Sequence, residues 1–84
     1  MSIEATTTYT NDNAGALADR INAAYAEGRA VVVNGDGVWS KHRGTRPASS
    51  WQNGSLSVDV HGRGRGTQGI RWYKAGETVT IQIG

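Results

Sequence analysis

Along residues 3–10 the chain alternates, with Ile3, Ala5, Thr7 and Tyr9 on one face and Glu4, Thr6, Thr8 and Thr10 on the other. A period of two with so much threonine predicts a strand, and its polarity places it at a sheet edge. Asn11-Asp12-Asn13 then offers side-chain oxygens to the first free N–H groups of a helix. Ala14, Leu17, Ala18, Ile21, Ala24 and Tyr25 recur at helical spacing, and Gly28 supplies a left-handed stop, so residues 13–27 read as one helix. Its apolar stripe is alanine-rich, which lets it lie close against a sheet.

Beyond the helix the pattern is that of strands. Ala30–Val33 is apolar and β-branched and suits a buried central strand, and Asn34-Gly35-Asp36-Gly37 tolerates the positive φ angles of a tight hairpin. Val38-Trp39-Ser40 reads as the return strand, and Lys41 to Ser50 as a basic loop holding Pro47. Residues 55–61 alternate again, with Leu56, Val58 and Val60 inward and Ser57, Asp59 and His61 outward. Ile70–Lys74 and Thr78–Ile83 form a last hairpin around Ala75-Gly76-Glu77, with Val79, Ile81 and Ile83 on one side. The predicted order is β-α-β-β-β-β-β with hairpin connections. It describes one α+β domain over residues 1–84, with a single helix packed on a mainly antiparallel five- or six-stranded sheet, or a curled small barrel with the helix across one opening.

Composition narrows the chemistry. A chain of 84 residues buries roughly 60–65% of its unfolded surface, so a deep cleft competes with stability. With no cysteine there is no disulfide framework, thiolate metal site or thiol nucleophile. Met1-Ser2-Ile3-Glu4 lacks the basic and apolar regions of a signal peptide, and Ala30-Val31-Val32-Val33 is far too short to span a bilayer. The expectation is a soluble, cytoplasmic protein without a membrane partner.

Charge changes the picture most. Lys41, Arg43, Arg46, Arg63, Arg65, Arg71 and Lys74 share the span 41–74 with one acid, Asp59, giving it +6 in a chain of net charge +2. Trp51 and Trp72 and both histidines, His42 and His61, fall in the same span. A cationic surface carrying aromatic rings is suited to a polyanion, nucleic acid or a phosphorylated nucleotide.

Within that span, His61-Gly62-Arg63-Gly64-Arg65-Gly66 resembles the short arginine-glycine motifs of RNA-binding tails. Arginine gives bidentate hydrogen bonds to phosphate, and glycine N–H groups approach closely. Lys41-His42-Arg43-Gly44-Thr45-Arg46 is a second basic loop, and the two make one cationic rim if they lie at the same end of the sheet. The plainer alternative for both is a solvated surface loop. Trp39, beside Val38, reads as core. Trp51, at a loop–strand junction, can offer its ring to a base. Trp72 and Tyr73 face opposite ways, one buried and one exposed beside Arg71 or Lys74. Asp36 and Asp59 are too isolated for a metal site, and the glycine runs match neither the phosphate loop nor the dinucleotide fingerprint.

Three readings follow. The first is a non-enzymatic binding module without cofactor, metal or catalytic residues. It binds a nucleic-acid strand or a nucleotide through Lys41, His42, Arg43, Arg46, Trp51, His61, Arg63, Arg65, Arg71 and Trp72; a homodimer interface is one way to build the nucleotide pocket. The second is a phage-type inhibitor of a host defence protein, anti-CRISPR-like or nucleotide-sequestering, with Trp51 and Trp72 as anchors. The third is a small metal-independent ribonuclease or toxin, in which His42 and His61 exchange protons and an arginine steadies the phosphorane.

Overall fold

The helix forms where the pattern places it. In the computed structural model, which describes residues 5–42 and 44–84, helix α1 spans Ala14–Ala26. Asn13 caps it, its side chain accepting the Ala16 N–H at 3.1 Å. Gly28, at φ +78, turns the chain left-handed after the last turn. Ala14, Leu17, Ala18, Ile21 and Ala24 are the buried face, and Tyr25 packs beside them.

Among the described residues seven strands accompany it: β1 (Ala5–Thr10), β2 (Val31–Val33), β3 (Asp36–Gly37), β4 (Ala48–Ser50), β5 (Leu56–His61), β6 (Gln68–Tyr73) and β7 (Thr78–Ile83). The polar alternation of residues 5–10 does make an edge strand, while Ile3 and Glu4 of the predicted strand lie outside the described residues. Asn34 and Gly35, at φ 47 and 84, form the tight turn between β2 and β3. Asn34 is also tied across to β7, donating to Thr78 O and accepting the Thr80 N–H.

The strands do not make the single five- or six-stranded sheet that the pattern suggests. They divide into a four-stranded sheet, β1-β7-β2-β3, and a three-stranded sheet, β4-β5-β6, antiparallel at every pairing. The sheets meet at an isolated bridge between Val38 and Val60, and β1 and β6 stay as edges rather than pairing into a barrel. The return strand begins earlier than predicted, β3 occupying Asp36–Gly37 of the predicted turn, and of Val38-Trp39-Ser40 only Val38 makes a bridge. β4 arises inside the predicted loop, because Ala48-Ser49-Ser50 pairs with β5 and the Asn22 amide of α1 grips Ala48, accepting its N–H at 2.8 Å and donating to its carbonyl at 2.9 Å.

The core lies between the sheets and the helix, which rests on β4 and β5 and touches β2. Leu56, Val58, Val60, Val33, Val79, Ile81 and Ile21 are its largest fully buried side chains. Among the described residues no helix is long and apolar enough to cross a membrane.

One polar residue locks the corner beneath this core. Asn11, 1% exposed, donates through Nδ2 to the carbonyls of Gly54, Tyr73 and Lys74 at 3.0, 2.9 and 3.1 Å. Its backbone closes onto the β6–β7 turn, N–H to Glu77 O and carbonyl from Gly76 N–H. The residue expected to help cap the helix instead staples β1 to β6.

The outer face of the three-stranded sheet as candidate binding site

Strand alternation puts the inward row Leu56, Val58, Val60 on one side of β5 and Ser57, Asp59, His61 on the other. Ser57 and Asp59 face outward as the pattern predicts, yet both are buried, Asp59 completely. The larger side chains of neighbouring strands explain this. Trp72 stands opposite Ser57 and Ile70 opposite Asp59 on β6, while Trp51 reaches in from the end of β4 and donates its Nε1–H to Ser57 Oγ at 3.2 Å. The central strand is thus covered on both faces.

The covering residues are themselves half open to solvent. Among the described residues the exposed large apolar side chains are Trp51 (50%), Ile70 (46%) and Trp72 (53%), and all three gather on this outer face. The Trp51 and Trp72 rings meet at 5.6 Å between centroids, tilted by 47°. Trp51 lines two open clefts. One, of about 460 Å³, is shared with Arg46, Ser49 and Ser50, and the other, of about 350 Å³, with Gln52, Asn53, Ser55 and Trp72.

Trp39 is a correction to its expected place in the core. It is half-buried, and its ring stacks on His61 at 5.2 Å and 7°. This stack joins the two basic loops. The first loop is tied at both ends to one residue: Trp39 N–H donates to Asp59 O at 3.1 Å, and Asp59 N–H donates to Pro47 O at 2.8 Å. Lys41 N–H then donates to Gln68 Oε1 at 2.6 Å, and Gln68 is the cross-strand partner of His61. The second loop leaves from His61 itself, so both basic loops lie at the same end of this sheet.

The arginine-glycine loop is less slack than its composition suggests. Gly62 N–H donates to Thr67 O, Thr67 N–H and Oγ1–H to Gly64 O, and Gly64 N–H to Thr67 Oγ1. A Cβ at Gly62 would overlap the Thr67 hydroxyl, so glycine is needed there for space. Arg63 and Arg65 project from this knot into solvent. The ion pairs of described residues, Arg29–Glu27 and Arg71–Asp36, involve none of Lys41, Arg46, Arg63 and Arg65.

The predicted site residues therefore separate. Lys41, His42, Arg46, Trp51, His61, Arg63, Arg65 and Trp72 belong to the outer face or its rim, and Arg43 lies outside the described residues. Arg71 alternates onto the opposite face with Tyr73 and is held by Asp36 at 3.1 Å. Tyr73 is buried and Trp72 exposed, as their adjacency requires. Burial pushes the Tyr73 hydroxyl above its ordinary pKa of 10.0, with Asp36 adding to the shift and Arg71 opposing it. The two histidines do not meet, since His61 lies on Trp39 and His42 is exposed on its loop.

Ile70, Ser57, Gln68 and Thr67 were not singled out by the sequence. Ile70 could have been, since its parity with Trp72 puts both on one face. Among the described residues no group of three or more His, Cys, Asp or Glu side chains is placed to hold a metal ion. No protein-family model, no curated protein and no solved structure matches this chain.

Proposed function

We propose that this chain is a non-enzymatic module that binds single-stranded nucleic acid across the outer face of the β4-β5-β6 sheet. The observation that carries the reading is the gathering of Trp51, Ile70 and Trp72 on one sheet face whose rim holds Arg46, Lys41, Arg63 and Arg65 without carboxylate partners among the described residues. Bases stack on exposed rings while cations follow the phosphates, and each stacked base contributes about 1–3 kcal/mol. The rows Ser57–Trp72 and His61–Gln68 are separated by four residues of β5, roughly 13 Å of strand, which suits a ligand longer than one nucleotide. The clefts beside Trp51 are open rather than enclosing, which favours a strand over a sequestered mononucleotide.

Titration of the intrinsic tryptophan fluorescence with mixed-sequence single-stranded RNA and DNA, at low and high salt, tests it. Quenching that weakens steeply with salt is expected, with Trp51→Ala and Trp72→Ala each costing about 1–3 kcal/mol of binding. Quenching by a mononucleotide that resists salt would move the reading to a pocket. Silence from every polyanion would overturn it and leave the same apolar patch to a protein partner, the inhibitor reading.

A further inference from the structure

We propose that the open edge of β6 pairs antiparallel with β6 of a second copy of this chain, joining two three-stranded sheets into one. The argument begins with backbone direction. Asp59 spends its N–H on Pro47 and its carbonyl on Trp39, both on the side of β5 away from β6. Its cross-strand partner Ile70 is therefore a non-hydrogen-bonded partner, and by alternation so are Trp72, opposite Ser57, and Gln68, opposite His61. The Gly62 N–H to Thr67 O bond fixes the same phase at the loop end. Gln68, Ile70 and Trp72 consequently aim their N–H and C=O groups out of the sheet edge, where β6 has no further strand among the described residues.

Side chains agree with a two-fold partner. Antiparallel pairing centred on Ile70 sets Ile70 against Ile70 of the second copy, Trp72 against its Gln68, and Arg71 against its Gly69. Each of the outward-aimed pairs exchanges two N–H···O bonds. Ile70 and Trp72, left 46% and 53% exposed, gain apolar neighbours on the same face. Arg71, the charged residue of β6, meets a glycine rather than its own copy and is already held by Asp36 on the other face. Gln68–Tyr73 holds no lysine and no proline, and its one charge, Arg71 on the core-side row with Tyr73, is paired with Asp36 within the chain. The other open edge, β1, offers alanine, threonine and the half-buried Tyr9, and no large exposed apolar side chain.

Such a dimer is isologous and closes on itself. It would set the two copies of β5 three strand spacings apart, roughly 14 Å, with both Trp51–Trp72 pairs on one continuous face. The pairing stands on backbone geometry and does not depend on nucleic-acid binding.

Sedimentation of the full chain without nucleic acid, from micromolar to millimolar concentration, tests it. The expected result is a concentration-dependent rise from 8.9 kDa to twice that mass. Ile70→Pro removes an N–H that serves no bond within the chain, and Ile70→Lys sets two ammonium groups face to face. Both variants should stay monomeric with unchanged circular dichroism. Should either fail to fold, amide exchange on the unaltered chain decides: the Gln68, Ile70 and Trp72 amides should slow with concentration while those of Ala5–Thr10 do not. A wild-type mass fixed at one chain, association that survives both variants, or exchange at these amides independent of concentration would overturn the proposal.

Discussion

At the scale of the residue, Asn11 is a buried polar side chain that makes three hydrogen bonds to other parts of the chain. One amide nitrogen serves three carbonyls, so truncation removes three hydrogen bonds at a buried corner, with Lys74 O keeping only the Glu77 N–H. Asn11→Ala should cost about 2–3 kcal/mol in urea unfolding. Asn11→Asp should cost more at neutral pH, since a carboxylate would face three carbonyl oxygens, and should recover as acid protonates it. An aspartate variant as stable as wild type would refute the staple. Tyr73 gives a prediction of opposite chemistry. Its folded pKa lies above the ordinary 10.0, so its stabilisation is complete below that pH and is lost as pH rises through the folded value. Urea midpoints measured above pH 10.0 should therefore fall less in Tyr73→Phe than in wild type. Neither role was legible in the sequence. Asn11 sat in a run of three equally good caps, and only the fold decides which one caps.

At the scale of the element, legibility followed periodicity. The helical face was readable residue by residue because five buried positions repeat at one spacing over thirteen residues. β5 and β7 were readable for the same reason. β4 was not, because Ala48-Ser49-Ser50 is short, small and polar and becomes a strand through what holds it. Asn22 supplies both hydrogen bonds that a further strand would give Ala48, so the helix covers that edge. Asn22→Ala should cost about 1–2 kcal/mol and speed exchange of the Ala48 amide relative to the amides of β7. Equal acceleration across both sheets would mean the contact is global rather than an edge cover. The outward residues of β5 show the complementary limit. Alternation set their direction correctly but could not foresee burial, which depends on Trp51 and β6 leaning over them.

At the scale of the molecule, a net charge of +2 conceals an uneven surface. Two basic loops far apart in the chain converge because Trp39 stacks on His61 and Lys41 bonds Gln68, contacts that no spacing rule announces. For the proposed strand ligand, replacing Arg63 and Arg65 together by Glu should lower the slope of log affinity against log salt by about 1–2. Arg71→Glu, already paired on the far face, should change that slope least. An equal effect from Arg71 would place the ligand elsewhere. The tie of both loop ends to Asp59 has a different kind of consequence. The two ends of the loop close on one backbone unit, and its further ties, Ser40 N–H to the Tyr25 hydroxyl and Lys41 N–H to Gln68 Oε1, lie before Gly44, so a longer loop beyond that point leaves them in place. Residues inserted after Gly44 would lengthen a closed ring, and doubling a loop costs only about 0.6 kcal/mol. The fold therefore carries a cassette: its contents can be rewritten, in nature or by design, while the frame keeps its shape.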